Sequence, residues 1–158
     1  MAQVNSVAGR LKSERGAELI EMALVLPLLL LLIVGMVDFG FLFQRYEVLT
    51  NAAREGARIA VLPGYNTSDV NSRVCQYLIT GGVPTTACTG LNPTPTNPVI
   101  TVSQTTLAMP AGSPVTAQQV QLVYTHNFMF IGPIMGLMGG AWTNAKTVTI
   151  IAVMRDEN

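Results

Sequence analysis

Charge is what this sequence has least of. Nine basic and nine acidic residues make up 11% of its 158 residues, and the only carboxylate between Gly56 and Met154 is Asp69. A pair of carboxylates for acid–base work would have to borrow Asp38, Glu47 or Glu55 from far upstream. A nucleic-acid surface is excluded for a related reason, since it needs clustered positive surplus. The single histidine, His126, has no Asp, Glu or Cys beside it, so it reads as a partly buried aromatic in a strand and not as a metal ligand. The two cysteines, Cys75 and Cys88, are too far apart for a CxxC redox pair. Neither Gly81-Gly82 nor Gly139-Gly140 is followed by the lysine, serine or helix start of a phosphate-binding loop. No enzyme, no cofactor and no metal site is expected.

What the chain has instead is apolar length. Met22 to Val37 carries no charge, and the apolar run resumes after Asp38 through Phe43. Roughly twenty helical residues cross a hydrocarbon layer of about 30 Å, and Leu19 to Phe43 supplies them. A small soluble domain would struggle to cover Leu28 to Leu32 on every side of a helix, so a single membrane span is expected. Two residues are unusual for a plain anchor. Glu21 sits in the first turns of the span, where a carboxylate costs about 2.5–3.5 kcal/mol unless paired or held near headgroups. Pro27 removes an amide proton and crowds the carbonyl four residues back, which predicts a bend or loosening between Ala23 and Pro27.

The flanks give an orientation. Arg10, Lys12 and Arg15, opposed only by Glu14, precede the run, so the amino terminus is expected in the cytoplasm and the rest outside the inner membrane. A cleaved secretory signal fits poorly, because Met36 to Phe39 make no small-residue cleavage site. Export to an oxidising compartment favours a Cys75–Cys88 disulfide over two free thiols, although the spacing itself allows either.

Taken in order, residues 1–16 read as a short basic leader, 17–62 as a transmembrane and extended helix, and 63–158 as a small strand-rich domain. Past the membrane, Glu47, Asn51, Arg54 and Arg58 mark a polar stripe, and Leu49, Ala52, Ala53, Gly56 and Ala60 a slim opposite one built for close approach. Ser68 to Thr80 is predicted as a helix with Val70, Val74 and Tyr77 inward, followed by a loop rich in Gly, Pro and Thr. Val99–Ser103, Gln119–Thr125 and Thr147–Met154 are predicted strands of an antiparallel sheet, with the long helix as its cover. The fold class is therefore α+β. Between the last two strands, residues 128–142 are dense in Met and Gly and empty of charge. Packing under the sheet, contact with the outer leaflet and docking of a neighbouring subunit are all open to them.

The stretch ERGAELIEMALVLPLLLLLIVGMVDFGFLFQRYEVLTNAAREGARIAV, residues 14–61, resembles the amino-terminal region of TadE-like proteins, the minor pseudopilins of the tight-adherence (Flp) pilus system. The rest of the chain agrees only loosely, as a small outer domain. The resemblance implies an inner-membrane pilin cut by a prepilin peptidase after Gly16, with Ala17 as the first mature residue and Glu21 at the fifth mature position. Met22 stands where the major Flp pilins have tyrosine, which favours a minor component. Pro27 and the segment Asn51, Ala52, Ala53, Arg54, Glu55, Gly56, Ala57 and Arg58 match the TadE-like pattern. The implied partners are the peptidase, other major and minor pilins, the inner-membrane assembly platform and the lipid bilayer. An amine freed on Ala17 of one subunit is a natural counter-charge for Glu21 of another. The alternative is an anchored outer domain that binds or adheres without entering a filament.

Overall fold

The computed structural model describes residues 4–85, 88, 97–110, 112–137 and 145–156. Its organising element is α1, Val4–Ala60, a single helix of 57 residues. It starts well upstream of the expected residue 17, and the reason is local: no proline or turn pair interrupts the sequence there, so nothing ends the helix at the edge of the apolar run. The helix also continues through Pro27 without interruption. It closes at Ala60, two residues short of the expected end, because Pro63 disfavours helical backbone at Leu62. Gly64 follows with φ 86°, a conformation that side-chain-bearing residues rarely adopt.

Helix α2, Thr67–Thr80, begins with a reciprocal cap. The Asn66 side chain accepts from the Ser68 and Asp69 amides at 2.8 and 3.1 Å, and the Asp69 carboxylate accepts from the Asn66 amide at 2.9 Å. Val70, Val74, Cys75 and Leu78 are buried. Tyr77, expected inward, is 39% exposed. The stripe 70–74–78 runs four residues at a time, and Leu78 takes the place assigned to Tyr77. Cys75 is bonded to Cys88, with Cα atoms 5.4 Å apart. Closing this short loop is worth about 3 kcal/mol in the chain-entropy account.

Three strands follow: β1 Val99–Leu107, β2 Val115–Asn127 and β3 Ala145–Arg155, with the short helix α3, Ile131–Leu137, between the last two. They pair antiparallel in the order β1-β2-β3. Val99 lies opposite Val123, and Leu122 opposite Ile150. Each strand is longer than its apolar alternation predicted, since Thr and Gln positions extend the pairing without adding to the core. The loop segment 89–96 and the stretch 138–144, including part of the Met/Gly-rich segment, lie outside the described residues.

The core forms where the outer part of α1 meets both α2 and the sheet. Leu49, Ala52, Ala53 and Ala57 of α1 pack with Val70, Val74 and Leu78 of α2 and with Val120, Leu122, Tyr124 and Ile150 of the sheet. The small residues are needed for this approach. A Cβ built on Gly56 would stand 2.6 Å from Val74 Cγ2 and 3.4 Å from Val120 Cγ1. A methyl group there would clash with Val74 of α2 while meeting Val120 of β2 at contact distance.

Candidate functional site: the exposed span and the seam above it

Among the described residues, one helix is long and apolar enough to cross a membrane. Every side chain from Ala17 to Ile33 is exposed, and this sets the segment apart from the core helix of a soluble protein. Gly16, Ala17, Glu21 and Pro27 all lie on this bare part of α1. Nothing stands within 4 Å of a Cβ built on Gly16. Glu21 makes no hydrogen bond or ion pair among the described residues, and its carboxylate stands on an apolar stretch of helix.

The segment Asn51–Arg58 divides sharply. Ala52, Ala53, Gly56 and Ala57 are buried in the domain core, whereas Asn51, Arg54 and Arg58 are exposed. Glu55 lies between these groups and ties two helices together: it accepts from Arg58 at 2.8 and 2.9 Å and from Arg73 of α2 at 3.0 Å. The hydrogen bond from Arg58 is the main reason that its carboxyl pKa falls to about 2, with Arg73 acting in the same direction against the effect of burial. A depressed carboxyl pKa contributes stability that is fully present above the unfolded value near 4.5 and is lost as pH falls towards 2. Glu55→Gln is therefore expected to flatten the dependence of thermal stability on pH across that window while costing only about 0.5–1 kcal/mol at neutral pH. Thermal melts of the detergent-solubilised chain at a series of pH values check this, and parallel wild-type and variant curves would contradict it.

A polar seam that the sequence did not announce lies where the span meets the domain. Asp38 is 1% exposed. Its Oδ1 accepts from the Met129 amide at 3.2 Å, and its Oδ2 from the Phe130 and Ile131 amides at 3.0 and 2.8 Å. The carboxylate thus takes up three backbone donors at the start of α3, which have no carbonyl four residues back to bond. Two helical turns further along α1, Arg45 donates to the Tyr124 hydroxyl at 2.8 Å and lies 3.1 Å from His126 Nδ1. Burial, then the Arg45 charge, pushes the His126 pKa below its ordinary value, and Asp38 opposes the shift only in part. The imidazole ring meets Phe128 edge-on at 5.1 Å, and Phe128 meets Phe39 at 5.9 Å.

This chemistry positions and fastens. The described residues hold no cluster of three His, Cys, Asp or Glu side chains fit for a metal. A groove between α1 and α2 is lined by Glu47, Asn51, Arg73, Gln76, Tyr77 and Thr80. Of the residues singled out from sequence, the structure joins Cys75 to Cys88 and gathers the small residues of Asn51–Arg58 in the core, but leaves Gly16, Ala17, Glu21 and Pro27 on a free helix. Asp38 is visible in the sequence as the interruption of the apolar run, but the need of such an acid for a partner is drawn there only for Glu21.

The architecture is α+β: one long helix, bare over its first half, becomes over its second half a core element packed against a small three-stranded antiparallel sheet. Residues 16–58 match the family model TadE, described as TadE-like protein, so this part of α1 is similar to TadE-like proteins. No curated protein and no solved structure matched the chain.

Proposed function

We propose that the protein is a minor pseudopilin that takes part in the biogenesis or initiation of a tight-adherence (Flp) pilus, acting by helix-mediated assembly with other pilins. The observation that carries this reading is the TadE-like match, which begins at Gly16, where the basic leader gives way to the bare apolar helix. In this reading a prepilin peptidase cuts after Gly16 at the cytoplasmic face of the inner membrane. Gly16 suits the cut, because glycine weakens a helix by about 1 kcal/mol relative to alanine and so eases local unwinding of α1. Cleavage removes three of the nine basic residues, Arg10, Lys12 and Arg15, and frees an amine on Ala17. In a bundle of such helices that amine meets Glu21 of a neighbour, which accounts for a carboxylate with no partner among the described residues. The domain after the span then stands on the periplasmic side. The protein has no catalytic role in this reading, and its partners are the peptidase, other pilins, the assembly platform and the bilayer.

Mass spectrometry of the membrane-extracted protein from cells with an active pilus system tests the reading. The expected species begins at Ala17. Protein that still carries Met1 under those conditions would overturn it.

A further inference from the structure

Helix α1 leaves the hydrocarbon layer at a definite height. From Leu19, where the apolar span begins, to Asp38 it rises about 29 Å, close to the roughly 30 Å thickness of that layer. At the same height the chain returns to the span, because the Met129, Phe130 and Ile131 amides are bound to the Asp38 carboxylate. Three hydrogen bonds therefore fix the start of α3 at the height of Asp38 on α1. Between Asn127 and Lys146 the sequence contains no charged residue. Phe128 is buried in the aromatic stack, while Met129 and Phe130 turn outward, 62% and 41% exposed.

The span carries matching apolar groups at that level. Val37, Phe39, Phe41 and Phe43 are all at least 40% exposed. At about 100° of turn per residue, Val37 and Phe41 lie on one side of α1, and Phe39 and Phe43 on nearly the opposite side. A single neighbouring protein surface covers one side of a helix; lipid covers all of it. Tyr46, half exposed, stands about one turn above Phe43 with a ring suited to the headgroup region.

We propose that Met129, Phe130 and helix α3 form a foot that inserts into the outer-leaflet interface, with Asp38 as the latch that holds it beside the span. The foot sets how deep and at what angle the outer domain sits over the membrane. It rests only on α1 crossing a bilayer, so it stands or falls independently of leader cleavage and pilus assembly.

The test uses the full chain reconstituted into phosphatidylcholine vesicles whose acyl chains are brominated near the headgroup. Trp142→Phe removes the one tryptophan, and Phe130→Trp then places a reporter on the foot. A ring seated about 5–10 Å into the headgroup boundary loses roughly half or more of its emission to the bromines. A Tyr65→Trp reporter beyond the far end of α1 is expected to be unaffected. Met129→Trp serves as a second foot reporter, and protection of the buried Val120 and Leu122 amides from hydrogen exchange verifies the fold of each variant. Strong quenching at both foot positions, independent of the protein-to-lipid ratio, supports the proposal. Foot reporters quenched no more than Tyr65→Trp overturn it, as does quenching that emerges only on dilution with lipid, which would show the foot covered by a second copy of the chain.

Discussion

Replacing Glu21 by alanine is expected to leave leader removal and membrane insertion intact while reducing the affinity for other pilins at least about 100-fold. Insertion survives because exchanging a carboxylate for a methyl group makes the span more apolar. Cleavage survives because the peptidase meets the leader and Gly16, about one helical turn away. Assembly suffers because, in the proposed bundle, the Ala17 amine of the adjoining subunit is left in a medium of low dielectric without its counter-charge. Breaking such a pair costs about 3–5 kcal/mol, and every 1.4 kcal/mol is about tenfold in affinity. Co-purification with pilin partners, at equal abundance and with leader removal verified, measures the effect. Recovery of partners at the wild-type level together with normal piliation would sink the assigned role. Failure of leader removal would move Glu21 into peptidase recognition instead.

Asp38→Ala acts inside one chain and is expected to cost about 2–4 kcal/mol. Hydrogen bonds to a charged acceptor contribute about 1.5–3 kcal/mol each, and here three amides share one carboxylate. The desolvation that the wild-type carboxylate undergoes offsets part of that sum. The loss should be local. In hydrogen exchange on the detergent-solubilised chain, the amides of Met129, Phe130 and Ile131 are expected to lose protection, while those of α2, held by its own cap and the disulfide, keep theirs. Asp38→Asn retains one acceptor oxygen and should fall between alanine and wild type. Unchanged exchange at the three amides in Asp38→Ala would show that α3 is held by other contacts.

The two acids differ in how far the sequence revealed them. Glu21 drew a proposed role because the resemblance to TadE-like proteins implies one, and because a carboxylate near the start of a span raises the question of a partner. Asp38 raises the same question, but its partners are backbone amides about 90 residues away. Backbone donors leave no trace in residue identity, so no pattern pointed to them. The sheet was readable for the converse reason. Val120, Leu122 and Tyr124 announce a buried face by alternation, and the structure buries all three. Tyr77 misled because helical spacing alone does not decide between two neighbouring apolar residues at the border of a stripe; the closeness of α1 decided in favour of Leu78. The upstream start of α1 was missed because a change in composition at Gly16 is a chemical boundary, while helix hydrogen bonding respects only prolines, caps and turns.

That α1 is one unbroken helix from the lipid into the core makes it a screw. Each residue of helix advances about 1.5 Å and turns about 100°, so height and heading are not independent for this molecule. If the bare half of α1 is raised by one residue against its surroundings while keeping the same side towards them, the outer domain must swing by about a quarter turn. An insertion of a single residue between Pro27 and Val37 would thus leave both the span and the domain chemically whole, yet aim the sheet in a different direction. Insertions of three or four residues, close to a full turn, nearly restore the heading at the cost of height. The leucine run fixes the thread, and the compass bearing of everything above the membrane is read from it.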